Sequence, residues 1–446
     1  RGRLVRDKDS QLELSLIEFL RPWRAAPAWR IALSGGLDST VLLHLLASLR
    51  ERETLPPLSA MHVHHGLQPA ADAWPEHCQA LCDRLGVPLH VERVRVDDGA
   101  SLERAAREAR YAAFAGQLGE GELLLTGQHR DDQAETLLLR LLRGAGVRGL
   151  GGMPPSRRLG AGWLARPLLK VARAELECYA RQQGLSWVED PSNADTRLAR
   201  NFLRREVLPA LTRHWPQASA NLSRSAQHLH EAEQLLVELA ELDLLAARDE
   251  AAFAWLGLPS LALAPLLALS ESRQRNALRH WLVPLTLLPD TEHWAGWQDL
   301  RNAGVDAGPI WRLAGGELRR ADERLWWLSG QWLQPPSLPT AWSDFTQPLQ
   351  LPNNGVAQLL GAPPAGPLHL RYRAGGEIMA LPGRGRRDLK RLLNERALPA
   401  FVRGRLPLLY RHDELLAVAN LPGLDGSQHG AWQLHWQPPT SAQGLS

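Results

Sequence analysis

From residue 30 to about residue 143 the chain alternates short apolar runs with helical patterns. RIALS precedes STVLLHLLASLRER, LSAMHVH precedes ADAWPEHCQALCDRLG, PLHVERVRV precedes SLERAAREARYAAFAGQLG, and ELLLT precedes DDQAETLLLRLLRG. Apolar runs of this length bounded by polar turns read as buried strands, and the segments between them place their apolar residues on one helical face. Such an alternation folds as a Rossmann-like, doubly wound parallel sheet, an α/β domain. Ligands of these sheets bind outside the carboxyl ends of the strands, where strand order reverses. SGGLDS (34–39) follows the first run, His62, His64, His65 and Gly66 close the second, and TGQHRDDQAET (126–136) follows the fourth.

SGGLDS has the makings of a phosphate site. Gly35 and Gly36 let the backbone turn and aim its N–H groups inward, and Ser34 and Ser39 add hydroxyls beside the positive end of a helix beginning near Asp38. The loop, Leu37 included, lacks the lysine that reaches the β- and γ-phosphates in G-x-x-x-x-G-K-S/T loops. It suits a pyrophosphate that departs intact when the α-phosphorus is attacked, with Asp38 helping to hold magnesium. The plainer reading is a glycine turn with Asp38 as helix cap.

Alternation along a strand puts His62 and His64 on one face and His65 on the other, which argues against a metal cluster and for a strand end packed near a nucleotide base. Asp132 and Glu135, three apart, share the first turn of a helix. They read as a capping box with Asp132 as cap, or as paired carboxylates that bind magnesium, grip a cationic substrate or deprotonate an amine. Arg107 and Arg110 share a helical face just before Tyr111 and, with Asp131, are candidate substrate- and anion-binding groups at the same mouth.

The length of 446 residues implies two or three domains. A net charge of +3 excludes little, so partners are read from where the bases lie. Lysine occurs only at Lys8, Lys170 and Lys390, leaving arginine as the main cation. Cys78, Cys82 and Cys178 form no C-x-x-C pair and point to a reducing compartment, with Cys78 and Cys82 as buried thiols on one helical face. The first thirty residues lack a signal-peptide core, and LGLPSLALAPLLAL (256–269) is too short and proline-broken to span a bilayer. A cytoplasmic protein is expected, with no membrane partner.

VEDPSNADTRLARNFLRREVLP (188–209) joins a turn to a helix bearing Arg197, Arg200, Asn201, Arg204 and Arg205, a candidate polyanion surface. From Ala218 to about Gln334 the patterning is helical, and QPPSLPTAW (334–342) reads as a linker or domain edge. Strand-like LHLRYRA and ELLAVANL then flank a helix near 388–397. This last region is rich in arginine, with Arg384, Arg386, Arg387, Lys390, Arg391, Arg403 and Arg405 as candidate phosphate contacts. The expected domains are a catalytic one over 1–215, a helical one over 216–334 and a small basic α+β one over 335–446.

These residues together resemble the tRNA(Ile)-lysidine synthetases, a family of N-type ATP pyrophosphatases. The motifs that carry the resemblance are SGGLDS (34–39), HVHHGL (62–67), GQHRDDQAETLLLRLLRGAG (127–146), EDPSNAD (189–195) followed by Arg200 and Asn201, and LKRLLNERALPAFVRGRLPLL (389–409). The resemblance implies a ligase that adenylates the wobble cytidine of an isoleucine tRNA with a CAU anticodon and then lets the ε-amine of free L-lysine displace AMP. The product, lysidine, pairs with A instead of G. It implies ATP and magnesium bound by Ser34, Gly35, Gly36, Leu37, Asp38 and Ser39, with Asp38 on the metal. Asp38, Asp132 and Glu135 become the catalytic acids, the arginines above the tRNA-binding surface, and a homodimer a candidate assembly. Arg130 departs from the residues common at its place in the family and sits beside the acidic site. Competing readings are a related tRNA thiolase, disfavoured by the lack of paired cysteines, an adenylating ligase for a small metabolite, and a nonenzymatic tRNA-binding protein.

Overall fold

The computed structural model describes residues 2–66, 69–95, 102–249, 252–287, 294–304, 307–321, 323–337 and 342–441. Leu67 of the HVHHGL motif and residues 338–341 of the proline-rich passage lie outside them. The chain divides into two compact units, Arg1–Gln234 and Leu235–Ser446.

The first unit runs α1 (Gly2–Leu20), β1 (Trp29–Ala32), α2 (Leu37–Arg50), β2 (Leu58–His64), α3 (Trp74–Leu85), β3 (Leu89–Arg93), α4 (Leu102–Gln117), β4 (Leu123–Leu125), α5 (Arg130–Leu142), α6 (Val147–Leu150), β5 (Ser156–Leu159), β6 (Gly162–Ala165) and α7 (Arg173–Gln182). A further helical stretch, α8 (Ala199–Phe202), a π-turn over Leu203–Val207 and α9 (Leu208–His214), precedes the long α10 (Ala218–Leu245). The sheet order is β3-β2-β1-β4-β6-β5, parallel except for the β5–β6 hairpin. Successive strand residues face opposite ways, so each strand serves two cores. Ile31, Ala60, Leu123 and Leu125 pack with Leu16, Leu20 and the leucines of α2, and with Cys78 and Cys82 of α3. Met61, Val63, Leu124 and Leu164 pack instead with Phe114 and Leu118 of α4. Both helix-borne thiols are buried as expected, and burial pushes Cys78 up to about 12 and Cys82 to about 11, which leaves them inert. The chain leaves β1 for β2 on one side and places β4 on the other, so the order reverses at β1 and a crevice opens at its carboxyl end.

In the second unit the expected helices are present as α11 (Leu263–Leu267), α12 (Glu271–Leu282) and α13 (Ala295–Asn302). With them stands an antiparallel sheet that the patterning does not announce, formed by β7 (Ser260–Ala262), β8 (Ile310–Leu313), β9 (Gly316–Ala321) and β10 (Arg324–Ser329) in the order β7-β10-β9-β8. Leu318, Leu325 and Trp327 turn into a core with Trp281 and Trp297 of the helices. The polar look of β9 comes from Arg319, held by Glu317, and from Arg320, which donates to the carbonyls of Leu300, Arg301 and Ala303.

Farther along come β11 (Leu349–Gln350), β12 (Val356–Gly361), β13 (Leu368–Arg371), β14 (Ile378–Leu381), β15 (Gly385–Asp388), α14 (Leu389–Glu395), α15 (Ala400–Arg403), β16 (Leu408–Arg411), β17 (Glu414–Val418) and β18 (Trp432–Gln437). They make a five-stranded sheet, β13-β16-β17-β14-β15, and a three-stranded one, β11-β12-β18. LHLRYRA and ELLAVANL supply β13 and β17 as read from the sequence, and α14 is the helix expected between them. Among the described residues no helix is long and apolar enough to cross a membrane.

Candidate active site

SGGLDS joins β1 to α2 and is braced from within. The Ser34 N–H donates to Ser39 Oγ at 3.1 Å, the two serine hydroxyls lie 3.0 Å apart, and the Gly36 N–H donates to Ser34 Oγ at 3.2 Å. Gly35 has φ +86°, and an added Cβ would sit 2.8 Å from Val188 Cγ2, so the turn requires glycine on both counts. Val188 in turn donates its N–H to the Gly35 carbonyl at 2.9 Å, tying the EDPSNAD segment to the loop. The N-cap of α2 is Gly36, without a side-chain cap, so Asp38 is not the cap but a residue of the first helical turn. The N–H groups of Leu37, Asp38 and Ser39 belong to that turn and point out of the helix, where an anion can take them. Gly127, after β4, presses on this turn: a Cβ there would meet the Asp38 carbonyl carbon at 2.9 Å and the Ser39 nitrogen at 3.0 Å.

At the start of α5 the cap is His129 rather than Asp132. The Asp131 N–H donates to His129 Nδ1 at 3.2 Å, and the His129 N–H donates to Asp132 Oδ2 at 3.1 Å, so Asp132 takes the returning position of the capping box. His129 is fully buried, with Nε2 lying 3.5 Å from Asp38 Oδ2 and 3.4 Å from Asp132 Oδ2. Burial opposes a charge on its ring, but Asp38, Asp132 and Asp131 together outweigh that and raise its pKa. The imidazole thus joins the acid of the first loop to the acid of the third. The sequence alone gives His129 no role, because a buried histidine cap looks like any polar residue before a helix.

The carboxylates have separate surroundings. Asp132 Oδ1 accepts from Arg204 Nη2 at 2.8 Å and the side chain lines the cavity. Glu135 is buried and accepts from Arg204 Nε at 2.6 Å and Nη2 at 3.0 Å, with Arg200 Nε 3.5 Å away. Burial raises its pKa, outweighing the Arg204 guanidinium. Asp131 has partners within the fold: its oxygens accept from the Arg173 N–H at 2.9 Å and the Ser219 hydroxyl at 2.7 Å. Burial pushes its pKa up, but those two donors and the nearby His129 and Arg130 outweigh it and leave the pKa lowered.

A cavity of about 280 Å³ lies over these groups. Its lining combines polar Ser34, Asp38, Ser39, Asp132 and Asp190 with the larger Val63, Trp74, Tyr111 and Phe114. His62 and His65 both reach it, whereas strand alternation separates them. The difference arises because β2 ends at His64, which frees His65 from the alternation. Burial lowers the pKa of His62, whose Nδ1 lies 2.8 Å from the Leu33 carbonyl, and burial beside Arg110 brings His65 to about 4. His64 turns to Asp72 at 3.1 Å. Arg110 lines the cavity, and Arg107 sits over the Tyr111 ring.

No group of three or more His, Cys, Asp or Glu side chains that could hold a metal occurs among the described residues. Magnesium asks for less, one or two carboxylates with the remaining positions left to water and phosphate oxygens. Asp38 Oδ1 is buried without a hydrogen-bond partner, and Asp38 and Asp132 are hard oxygen donors on the same cavity, so the side chains fit that ion.

A PP-loop domain model matches residues 8–211, a TilS substrate binding domain model residues 261–326, and a TilS substrate C-terminal domain model residues 368–436. The tRNA(Ile)-lysidine synthase of Pseudomonas fluorescens is 64% identical over 430 residues, covering 96% of this chain and 97% of its own. That of Pseudomonas aeruginosa is 62% identical over 438 residues, covering 98% and 99%. The chain belongs to the tRNA(Ile)-lysidine synthase family. A more distant relative of the same name, from Coxiella burnetii, is 39% identical over 446 residues, covering 95% and 96%.

In this member of the tRNA(Ile)-lysidine synthase family several arginines expected on a polyanion surface have internal partners instead. Arg204 is held by Asp132 and Glu135, Arg200 donates to Thr136 Oγ1 at 2.8 Å, and the Asn201 amide donates to the Ser192 and Asp195 carbonyls. Arg197 pairs with Asp195 at 2.8 Å on the surface. Arg403 donates to the Leu398 carbonyl at 2.8 Å and to Asn394. Arg405 is buried, and its guanidinium donates to the carbonyls of Asn353 and Trp332, both at 2.9 Å, and to that of Gln334. A basic run in sequence does not distinguish a guanidinium that gathers carbonyls from one that meets water. Arg205, Arg384, Arg386, Arg387, Lys390 and Arg391 are exposed. Arg405→Gln is therefore expected to cost about 2–3 kcal/mol by leaving buried carbonyls unsatisfied, and Arg386→Gln less than about 0.5 kcal/mol. Denaturant unfolding of the two variants checks the contrast, and equal midpoints would contradict it.

Proposed function

We propose that this chain joins lysine to the wobble cytidine of a CAU-anticodon isoleucine tRNA at the expense of ATP, in the cytoplasm. The observation that carries the reading is the convergence of Asp38 and Asp132, both on the cavity that Ser34 and Ser39 also line, on the buried His129. In the first step the C2 carbonyl oxygen of the base attacks the α-phosphorus of ATP, and pyrophosphate leaves. The charge it carries away is met by the first-turn N–H groups of α2 and the hydroxyls of Ser34 and Ser39. Asp38 would hold magnesium, which when bound spreads the negative charge of the phosphates.

In the second step the ε-amine of lysine forms its bond to C2 as AMP leaves. The attacking amine must first lose a proton, and Asp132 is the acid of the pair that lines the cavity. Glu135, expected from the sequence as a catalytic acid, acts here as a positioning residue: it holds Arg204, which holds Asp132. The catalytic region is assigned to 1–215, a substrate-binding region to 216–334 and a tRNA-gripping region to 335–446. The exposed Arg384, Arg386, Arg387, Lys390 and Arg391 are the phosphate contacts of the last.

Radiolabelled lysine, ATP and magnesium with an unmodified CAU-anticodon isoleucine transcript test the reading, set beside an elongator methionine tRNA of the same anticodon. Label on the first alone, with matching AMP release, is expected. AMP release without label on either RNA would keep base adenylation and remove lysine as the nucleophile.

A further inference from the structure

One cluster beside the cavity, built on the cavity-lining Tyr111 and Arg110, has no part in the proposed reaction. The guanidinium carbons of Arg107, Arg157 and Arg110 lie 5.0, 5.2 and 6.0 Å from the centre of the Tyr111 ring. Among the described residues none of the three has a carboxylate partner, whereas Arg104, one turn away on α4, pairs with Glu108 at 2.7 Å. The ring they share is fixed in place. Gln128 Nε2 donates to the Tyr111 hydroxyl at 3.3 Å, and Gln128 Oε1 accepts from Arg166 Nε at 2.9 Å, while Arg166 is anchored on the Pro154 carbonyl. The aromatic face offsets part of the mutual repulsion of the cations but supplies no hydrogen-bond acceptor. What the cluster lacks is an anion with several acceptor oxygens.

Topology says which anion. Arg107 lies in the early turns of α4, and Arg157 follows Ser156, which pairs with Ala165 at the carboxyl end of β6, so both stand at the carboxyl edge of the sheet. They belong to the face where Phe114, Leu118, Leu159 and Leu164 pack. SGGLDS feeds α2, which packs on the other face. With the triphosphate of ATP proposed at that loop, the arginines stand on the other face of the sheet, against Tyr111, which with Arg110 lines the cavity. A single-stranded nucleotide turned out of its stack carries a backbone phosphate on each side of its base.

We infer that Arg107 and Arg157, stacked against Tyr111, clamp an RNA backbone phosphate next to the nucleotide that enters the cavity. The clamp rests on the proposed function for the RNA's identity. Arg157 emerges only from the fold, because the hairpin that carries it brings it to a helix about fifty residues earlier in the sequence.

Arg157→Gln and Arg107→Gln are each expected to weaken binding of the CAU-anticodon transcript about tenfold at fixed salt and to flatten the dependence of log Kd on log salt by about one unit, with the KM for ATP unchanged. Arg107→Lys keeps the charge but loses the planar fork, so it restores the salt slope and not the full affinity. Arg104→Gln serves as a surface control with unaltered binding. Equal weakening by Arg104→Gln would overturn the clamp, as would a raised KM for ATP with unchanged RNA binding, which would reassign the guanidiniums to the triphosphate. Matching thermal midpoints show that the variants are folded, and either glutamine variant carries the test if the other does not fold. Since transcript binding is read without turnover, failure of the wild type to incorporate lysine would remove the proposed reaction while the clamp stands or falls on its own result.

Discussion

Alanine at position 127 is expected to lower kcat/KM for ATP by about a hundredfold or more while costing about 1–3 kcal/mol of stability, too little to unfold the chain. The demand on Gly127 is space rather than conformation, since its φ is not in the left-handed region. An alanine Cβ would lie 2.9 Å from the carbonyl carbon of Asp38, 3.0 Å from its oxygen and 3.0 Å from the Ser39 nitrogen. All three are backbone atoms of the first turn of α2, so no side chain can swing away to relieve the contact. Either the segment after β4 or the phosphate loop must shift, and both carry acids that meet at His129. Gly146→Ala is the matched control in the same motif: nothing lies within 4 Å of its added Cβ. ATP consumption at saturating transcript and lysine separates the two variants. Wild-type kinetics for Gly127→Ala would show that the loop tolerates displacement and that its geometry does not set the rate.

The positions of the loops were legible because they depend on local pattern. Short apolar runs gave the strands, Gly-Gly gave the turn, and the ends of β1, β2 and β4 carry the motifs as expected. The different surroundings of Asp132 and Glu135 were not legible, since three-residue spacing puts both on one face of α5. It is Arg204, 69 positions from Glu135, that draws Glu135 into the interior and leaves Asp132 on the cavity. Arg204 itself read as part of a basic stripe, for a periodic run of arginines looks the same whether its partners are phosphates or buried acids. The sheet of the second unit escaped for a related reason. The arginines of β9 gave it a polar profile, while carbonyls supplied by the end of α13 and the residue after it satisfy Arg320.

Replacing Arg204 with methionine is expected to destabilise the chain by about 3–5 kcal/mol, because it strands a carboxylate in the interior. The Glu135 side chain is 1% exposed and the Arg204 side chain 30% exposed, so the acid bears most of the desolvation and has no solvent to turn to. The arginine, not the pairing as such, makes Glu135 tolerable as an anion, and a second change tests that distinction. With Glu135→Met added, both charges are gone, Arg200 can turn toward water, and stability should return to within about 1 kcal/mol of the wild type. The pH dependence follows from the raised pKa of Glu135. A carboxyl whose folded pKa lies above its unfolded value favours folding while protonated, and that contribution is lost as pH rises through the folded value. Loss of Arg204 raises the folded pKa further, so the deficit of the single variant should be smaller near about pH 5 than near about pH 8. Denaturant midpoints at the two pH values measure this, and a deficit independent of pH would place the cost in lost packing instead. Activity should not follow stability. The double variant folds but leaves Asp132 without the guanidinium that holds its Oδ1, and lysidine formation should stay at least about a hundredfold below the wild type. Recovery of activity along with stability would mean that Arg204 serves the fold alone.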